Sequence, residues 1–356
     1  MAIGAESAMD TLTHALSGAL LARAAAGSKP VISLRRRFAV GALSAAFPDS
    51  DYLASYLSPL DYLLNHRGVT HSVLLLPFWA WLLALLAALA FRHPRGWRAY
   101  WVVAALGIGV HILGDLITSY GTMIFAPLSD ARFGWGTTFI IDLWFSGIIL
   151  AGLAGSWLRA SSRVPALAAL AVLALYVGFQ GWLKSEATAV GVADALQSHR
   201  PDARISVQPG PVSPFNWMVV QARDGEYRYA LVNLARRAAL PGPDASSGFF
   251  YRLSAEFDPP AEARWRSASL HGSEADAELV REAWSRPELD FFRWFAEYPA
   301  LYRVDRGNPS VCVWFYDLRF FRPGSDFLPF RYGVCREAQA PWRRYQLSGD
   351  NDRSPL

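Results

Sequence analysis

Four apolar runs, at residues 73–91, 100–119, 139–158 and 164–183, each approach the ~20 residues with which a helix crosses ~30 Å of hydrocarbon. Such runs leave the chain few options. Backbone in lipid must satisfy its own N–H and C=O groups, and helices do so. Two weaker apolar segments, 12–26 and 38–47, fit as short or partly inserted helices of the same bundle. The expectation for 1–184 is therefore an α-helical polytopic membrane bundle of about six helices. Beyond Lys184 the sequence becomes mixed, polar and turn-rich, with Asp224-Gly225, Pro241-Gly242-Pro243 and Pro323-Gly324. Residues 185–356 read as a small soluble α+β domain, with hairpins over 217–233 and 311–337 and helices over 275–284 and 289–295.

The net charge of +4 raises the question of nucleic acid, and its distribution answers it. Up to Lys184 there are 13 Lys or Arg against 8 Asp or Glu, and beyond it 21 against 22. The basic excess thus belongs to the apolar half. It sits in short loops, as Lys29 with Arg35, Arg36 and Arg37, then Arg92, Arg95 and Arg98, then Arg159 and Arg163. That spacing is a topology signal and not a nucleic-acid face. Cytoplasmic placement of those loops puts both chain ends, and the soluble half, outside. No cleavable signal peptide is visible, and Met9 is a candidate initiator.

The two cysteines, Cys312 and Cys335, both fall in the part placed outside. They lie in strand-like segments that face each other across a hairpin. A disulfide there requires an oxidising compartment, whereas two buried unpaired thiols do not; the sequence leaves both open.

Polar residues in or beside apolar helices are costly, so their positions carry information. Asp10 and His14 stand four apart; Asp49 and Asp51 follow the second apolar segment. His66-Arg67-Gly68-Val69-Thr70-His71-Ser72 precedes the first clear run. His111 and Asp115 again stand four apart, and Asp142 opens the third run. Residues at i and i+4 share a helix face about 6 Å apart, so each pair can converge on one ion. All these groups fall near the outer helix ends and none beside a basic loop. Imidazole with carboxylate suits zinc first, then manganese or iron, and one or two ions are expected. His14, Asp49, His71, His111 and Asp115 are the expected metal ligands. Asp51, His66 and Asp142 are acid–base or further ligand candidates. Arg67 and Arg132 are candidates for binding a substrate phosphate, the alternative being headgroup anchoring. Taken singly, Asp49, Asp51 and Asp142 are also ordinary helix-end residues.

Met9-Asp10-Thr11-Leu12-Thr13-His14, Pro48-Asp49-Ser50-Asp51, residues 66–72 and residues 111–122 together resemble the YdjM-like family of bacterial inner-membrane, metal-dependent hydrolases. Ser213-Pro214-Phe215-Asn216-Trp217 and Asp317-Leu318-Arg319 are similar to that family's tail. The resemblance implies a multi-pass inner-membrane location and a hydrolase label. LexA contact enters only through the family's description, and a site on the outer face argues against it. The order His14, Asp49 or Asp51, His66 or His71, then His111 with Asp115 is distantly similar to the zinc site of phospholipase C and P1-type nucleases. This chain has no later His-x-x-x-Glu pair; Asp142 alone follows Asp115. The similarity implies a lipid-like ester or phosphoester substrate at the bilayer. A transporter or ion-coupled channel, and a non-catalytic metal-binding scaffold, are the competing classes.

Overall fold

The computed structural model describes residues 2–27, 31–56, 58–244, 246–307, 309–321, 323, 328–337, 340–349 and 351–356, with side chains from Asp10 onward. It divides into two units, Met1–Gly181 and Trp182–Leu356.

The first unit is helical: α1 (Ala2–Ala24), α2 (Leu34–Ala46), α3 (Pro59–Asn65), α4 (Leu76–Ala90), α5 (Trp97–Leu116), α6 (Leu143–Leu158) and the start of α7 (Val164–Gln197). The expected six spans are not supported. Among the described residues, two stretches are long and apolar enough to cross a bilayer, Pro94–Leu116 and Val164–Gln197. A third arises only if Pro59–His71 and Leu76–Ala90, bent by 81°, count as one span. The reason is length and polarity together. At 1.5 Å per residue, the 13 residues of α2 and the 16 of α6 fall short of the hydrocarbon thickness. The 23-residue α1 carries Asp10, His14, Ser17 and Arg23.

Two of the arginines near the helix ends have structural partners. Arg37 donates to the carbonyls of Ala22 and Ala25 at the end of α1, and Arg23 to those of Ala160 and Ser162. Cations at helix C-termini satisfy orphan carbonyls and complement the dipole.

The second unit is rich in β-sheet. Strands β1 (Arg204–Pro209), β2 (Asn216–Arg223), β3 (Glu226–Asn233) and β4 (Arg266–Ser269) form one antiparallel sheet in chain order. A five-stranded antiparallel sheet follows: β5 (Pro299–Arg306), β6 (Ser310–Asp317), β7 (Tyr332–Glu337), β8 (Arg343–Leu347) and β9 (Arg353–Pro355). Three short helices intervene, α8 (Phe249–Ala255), α9 (Ala277–Trp284) and α10 (Asp290–Phe295). Asp224 and Gly225 adopt φ of 52° and 78° in the β2–β3 turn, the geometry of the tight hairpins that Asp-Gly favours. Strand alternation splits β2 between two cores. Trp217 and Val219 pack with Leu183 and Ala187 of α7, whereas Met218 and Val220 pack with Phe257, Tyr298 and Leu318. Cys312 and Cys335 oppose each other on β6 and β7 and form a disulfide, which decides the question the sequence left open.

Candidate metal centre

Glycines set the distance between the helices that carry the site. A Cβ on Gly41 of α2 would stand 2.6 Å from the Gly18 carbonyl oxygen of α1, and one on Gly107 of α5 would stand 2.8 Å from that of Gly41. Small residues permit such backbone approach between apolar helices. The close packing places the ring of His14 3.9 Å from that of His111, centroid to centroid. The 3₁₀ segments Pro48–Tyr56 and Val69–His71 bring in Asp49, Asp51 and His71.

Four donor atoms converge. His71 Nε2 lies 2.9 Å from His111 Nε2, 3.1 Å from Asp115 Oδ2 and 3.8 Å from Asp49 Oδ1. His111 Nε2 lies 3.4 Å from Asp115 Oδ2 and 3.5 Å from Asp49 Oδ1. Tetrahedral donors around an ion at 2.0–2.1 Å stand about 3.3 Å apart. The five separations bracket that value. His71 and His111 are fully buried and the Asp115 side chain is 1 % exposed, whereas that of Asp49 is 10 % exposed.

The outer ring nitrogens fix the tautomers. His111 Nδ1 is 2.6 Å from the Ala45 carbonyl oxygen, which only accepts, so this nitrogen carries the proton. His71 Nδ1 faces the Thr70 hydroxyl at 3.0 Å and Asp51 Oδ2 at 3.4 Å. Both Nε2 atoms then face the cage, toward each other and toward carboxylates. Both oxygens of Asp115 are buried; Oδ1 stands 3.0 Å from Arg67 Nη2 and Oδ2 stands 3.1 Å from His71 Nε2. The carboxylate is thus paired with the guanidinium on one side and faces the imidazoles on the other. Two groups of these residues are spaced to hold a metal ion, Asp49 with His71 and His111, and the expected ligand His14 with His111 and Asp115. Asp115 Oδ2 also lies within 3.4 Å of both His71 and His111 Nε2.

The surrounding shell orients these donors. Thr11 Oγ1 donates to Asp49 Oδ2 at 2.5 Å. Asp51 accepts from the Arg67 amide at 2.9 Å and pairs with His66 Nδ1 at 2.9 Å. Burial alone would raise the Asp51 carboxyl, but His66 and the Arg67 amide outweigh it and hold it below the ordinary carboxylate range.

A second group adjoins the cage. His14 Nε2 lies 3.3 Å from both Asp10 Oδ1 and Asp115 Oδ1. Arg67, only 2 % exposed, places Nη2 3.0 Å from Asp115 Oδ1 and 3.3 Å from Asp10 Oδ2, and its Nη1 donates to Thr118 Oγ1. Its guanidinium stacks on Tyr120. Arg132 stacks on Tyr120 too and donates to the carbonyls of Tyr120 and Gly121. Asp142 caps α6 through the Phe145 amide and accepts from Tyr176 and Gln180 of α7, none of which belongs to the cage. It does line, with Asp10 and His14, a cavity of about 380 Å³ whose other walls include Leu113, Ile117, Phe139 and Leu173.

Thr11, Thr118 and Tyr120 fell inside motifs the sequence singled out but had no role assigned there, and the Ala45 carbonyl and the α7 residues Tyr176 and Gln180 were not anticipated. The glycines at 18, 41 and 107, small residues inside apolar helices, were the readable signal.

Fold and site together define a helical membrane protein with a buried His/Asp cluster able to hold a metal, followed by a β-sheet-rich domain. Residues 9–187 match the family described as YdjM inner membrane protein, and the chain belongs to that family. It is also 27% identical over 176 residues to the uncharacterized protein YfhP of Bacillus subtilis (strain 168), covering 48% of this chain. The matched stretch spans about half of that relative's length, at 52%. No solved structure matches.

Proposed function

We propose that this protein is a membrane-bound, metal-dependent hydrolase acting on a lipid-linked ester or phosphoester. The observation that carries this reading is the pair of imidazoles, His71 and His111, whose Nε2 atoms meet at 2.9 Å with their outer nitrogens engaged elsewhere. A divalent ion between them would take both lone pairs, whereas without one a proton on either nitrogen makes the same contact an N–H···N hydrogen bond, so metal content decides the reading. Asp49 and Asp115 complete the ligand set. Zinc suits it best, with manganese or iron as alternatives.

Such an ion supplies Lewis-acid activation of water and of the scissile group. The chain's own residues do the rest. Asp49, the least enclosed of the four donors, marks the side from which water would reach a fifth coordination position. His14, held between Asp10 and Asp115, is placed to return a proton to the leaving group. Asp51 and the hydroxyl of Thr70 hold the His71 ring.

A lipid-like substrate is favoured by the cavity beside His14. Its walls are chiefly apolar, with Asp10, His14 and Asp142 among its polar lining residues. A hydrocarbon tail fits there with its ester near His14. The location we infer is the bacterial inner membrane in multi-pass form, with the second unit outside. The basic loops and the Cys312–Cys335 disulfide support that orientation.

The test is elemental analysis of the detergent-purified protein beside an assay on lipid esters and phosphoesters. Stoichiometric divalent metal and turnover, both lost in Asp115→Ala and in the His71→Ala/His111→Ala double variant, are expected. Metal-free wild-type protein overturns the reading.

A further inference from the structure

Beside the metal cage, Asp10 Oδ1, His14 Nε2 and Asp115 Oδ1 form a second set with ligand-like spacing, His14 standing 3.3 Å from each oxygen. Two-metal hydrolytic sites place their ions about 3.5–4 Å apart and share a bridging carboxylate. Asp115 has the form of that bridge, with Oδ2 toward His71 and His111 and Oδ1 toward His14. The second position already holds a cation, because Arg67 Nη2 stands 3.0 Å from Asp115 Oδ1 and 3.3 Å from Asp10 Oδ2.

We infer that the Arg67 guanidinium takes the place of a second metal ion, making this a one-ion centre built on a two-ion ligand frame. This rests on the metal reading given above and deepens it. Three observations carry it.

The first is burial and commitment. Arg67 is 2 % exposed; its Nη1 bonds Thr118 and the Asp115 carbonyl oxygen, and its plane lies on Tyr120. Planar guanidinium suits such a fixed, multi-donor position better than a solvated ammonium does.

The second is backbone strain. Arg67 adopts φ of 61°, a region costly for a side-chain-bearing residue, and is held there by its amide on Asp51 and its carbonyl on the Met123 amide. That turn directs the side chain inward while the flanking His66 and His71 reach Asp51 and the cage.

The third is charge. The carboxylates that face the two positions are Asp10, Asp49 and Asp115, with Asp51 behind His71 and paired with His66. The guanidinium already supplies one positive charge between Asp10 and Asp115, and a second divalent ion beside it would be repelled at short range in a largely enclosed site.

Removing the guanidinium therefore exposes a metal site. In Arg67→Gly, a residue that accepts φ of 61° readily, the full-length protein in detergent, dialysed with zinc and analysed by plasma mass spectrometry, is expected to hold two equivalents. Wild type and Arg67→Lys are expected to hold one. Asp10→Asn is expected to hold one as well, since Asp10 faces the guanidinium and not the ion. Wild type with two equivalents, or folded Arg67→Gly with one, overturns the inference. Should Arg67→Gly fail to fold, loss of zinc from folded Asp10→Asn overturns it and retention of one equivalent supports it. Wild type without zinc instead overturns the metal reading, and this inference with it, so the two failures are distinct.

Discussion

Asp51 stands behind His71, with Oδ2 3.4 Å from His71 Nδ1 while Oδ1 holds His66 Nδ1 at 2.9 Å. A carboxylate behind a ligating imidazole fixes its tautomer and raises its basicity, and loss of such a partner typically costs 10–100-fold in metal affinity. Asp51→Asn is therefore expected to weaken zinc binding by roughly that factor while leaving the stoichiometry unchanged. Competition against a chromogenic chelator measures it. Unaltered affinity would assign Asp51 to the fold alone.

Asp115 joins the two parts of the centre, pairing with His14 and Arg67 on one side and with His71 and His111 on the other. Asp115→Ala is expected to abolish bound metal and to destabilise the first unit, because the buried guanidinium keeps only Asp10 as a charged partner. Breaking a buried pair from one side costs on the order of 3–5 kcal/mol. Elemental analysis and thermal unfolding in detergent report the two effects separately. Retention of full metal would remove Asp115 from the ligand set.

The i, i+4 spacing of His111 and Asp115 and the Asp224-Gly225 turn were legible because both are local: one helix face, one hairpin. The opposition of Cys312 and Cys335 was legible as a possibility for the same reason, but whether the thiols join depends on strand register. The number of spans was not legible. Apolar windows over 38–47 and 139–158 show where hydrophobicity lies but not where a helix begins: α6 starts only at Leu143, after its Asp142 cap, and is left with 16 residues, while α2 has 13. Nor was the destination of Arg67 readable, since a long side chain on a strained turn reaches partners 48 to 57 residues away in sequence.

The cavity beside His14 makes a prediction about chain length. Ala174 lines it from α7. Ala174→Trp is expected to lower kcat/KM for long-chain lipid esters by about tenfold, the equivalent of roughly 1.4 kcal/mol, and to leave short-chain analogues and zinc content unchanged. A uniform loss across all chain lengths would separate the cavity from substrate binding.

Helix approach at the glycines can be tested against a control in the same unit. A Cβ on Gly41 meets the Gly18 carbonyl oxygen at 2.6 Å and Ala22 Cβ at 2.7 Å, whereas one on Gly147 in α6 meets nothing within 4 Å. Gly41→Ala forces α1 and α2 apart, and overpacking of this kind costs about 1–3 kcal/mol. Because α1 carries His14 and the Ala45 carbonyl of α2 holds His111, weakened zinc binding is expected alongside the lower unfolding temperature. Gly147→Ala is expected to be neutral or to stabilise its helix by about 0.5–1 kcal/mol. Equal behaviour of the two variants would mean that α1 and α2 do not depend on this contact.

The disulfide gives the last test, because it lies wholly within the second unit. Cys312 is fully buried on β6 and pairs with Cys335 on β7, closing a sequence separation of 23 residues. A cross-link of that kind typically contributes about 2–4 kcal/mol, largely by restricting the unfolded chain. Cys312→Ala with Cys335→Ala is expected to lower the unfolding temperature of the second unit by an amount of that order while the first unit keeps its zinc, since every donor of the cage lies before residue 116. Limited proteolysis that releases fragments from 182–356 but spares the helical half would bear this out. Loss of zinc in the same variant would show instead that the integrity of the metal centre depends on the β-sheet unit, and the two halves would then have to be treated as one folding body.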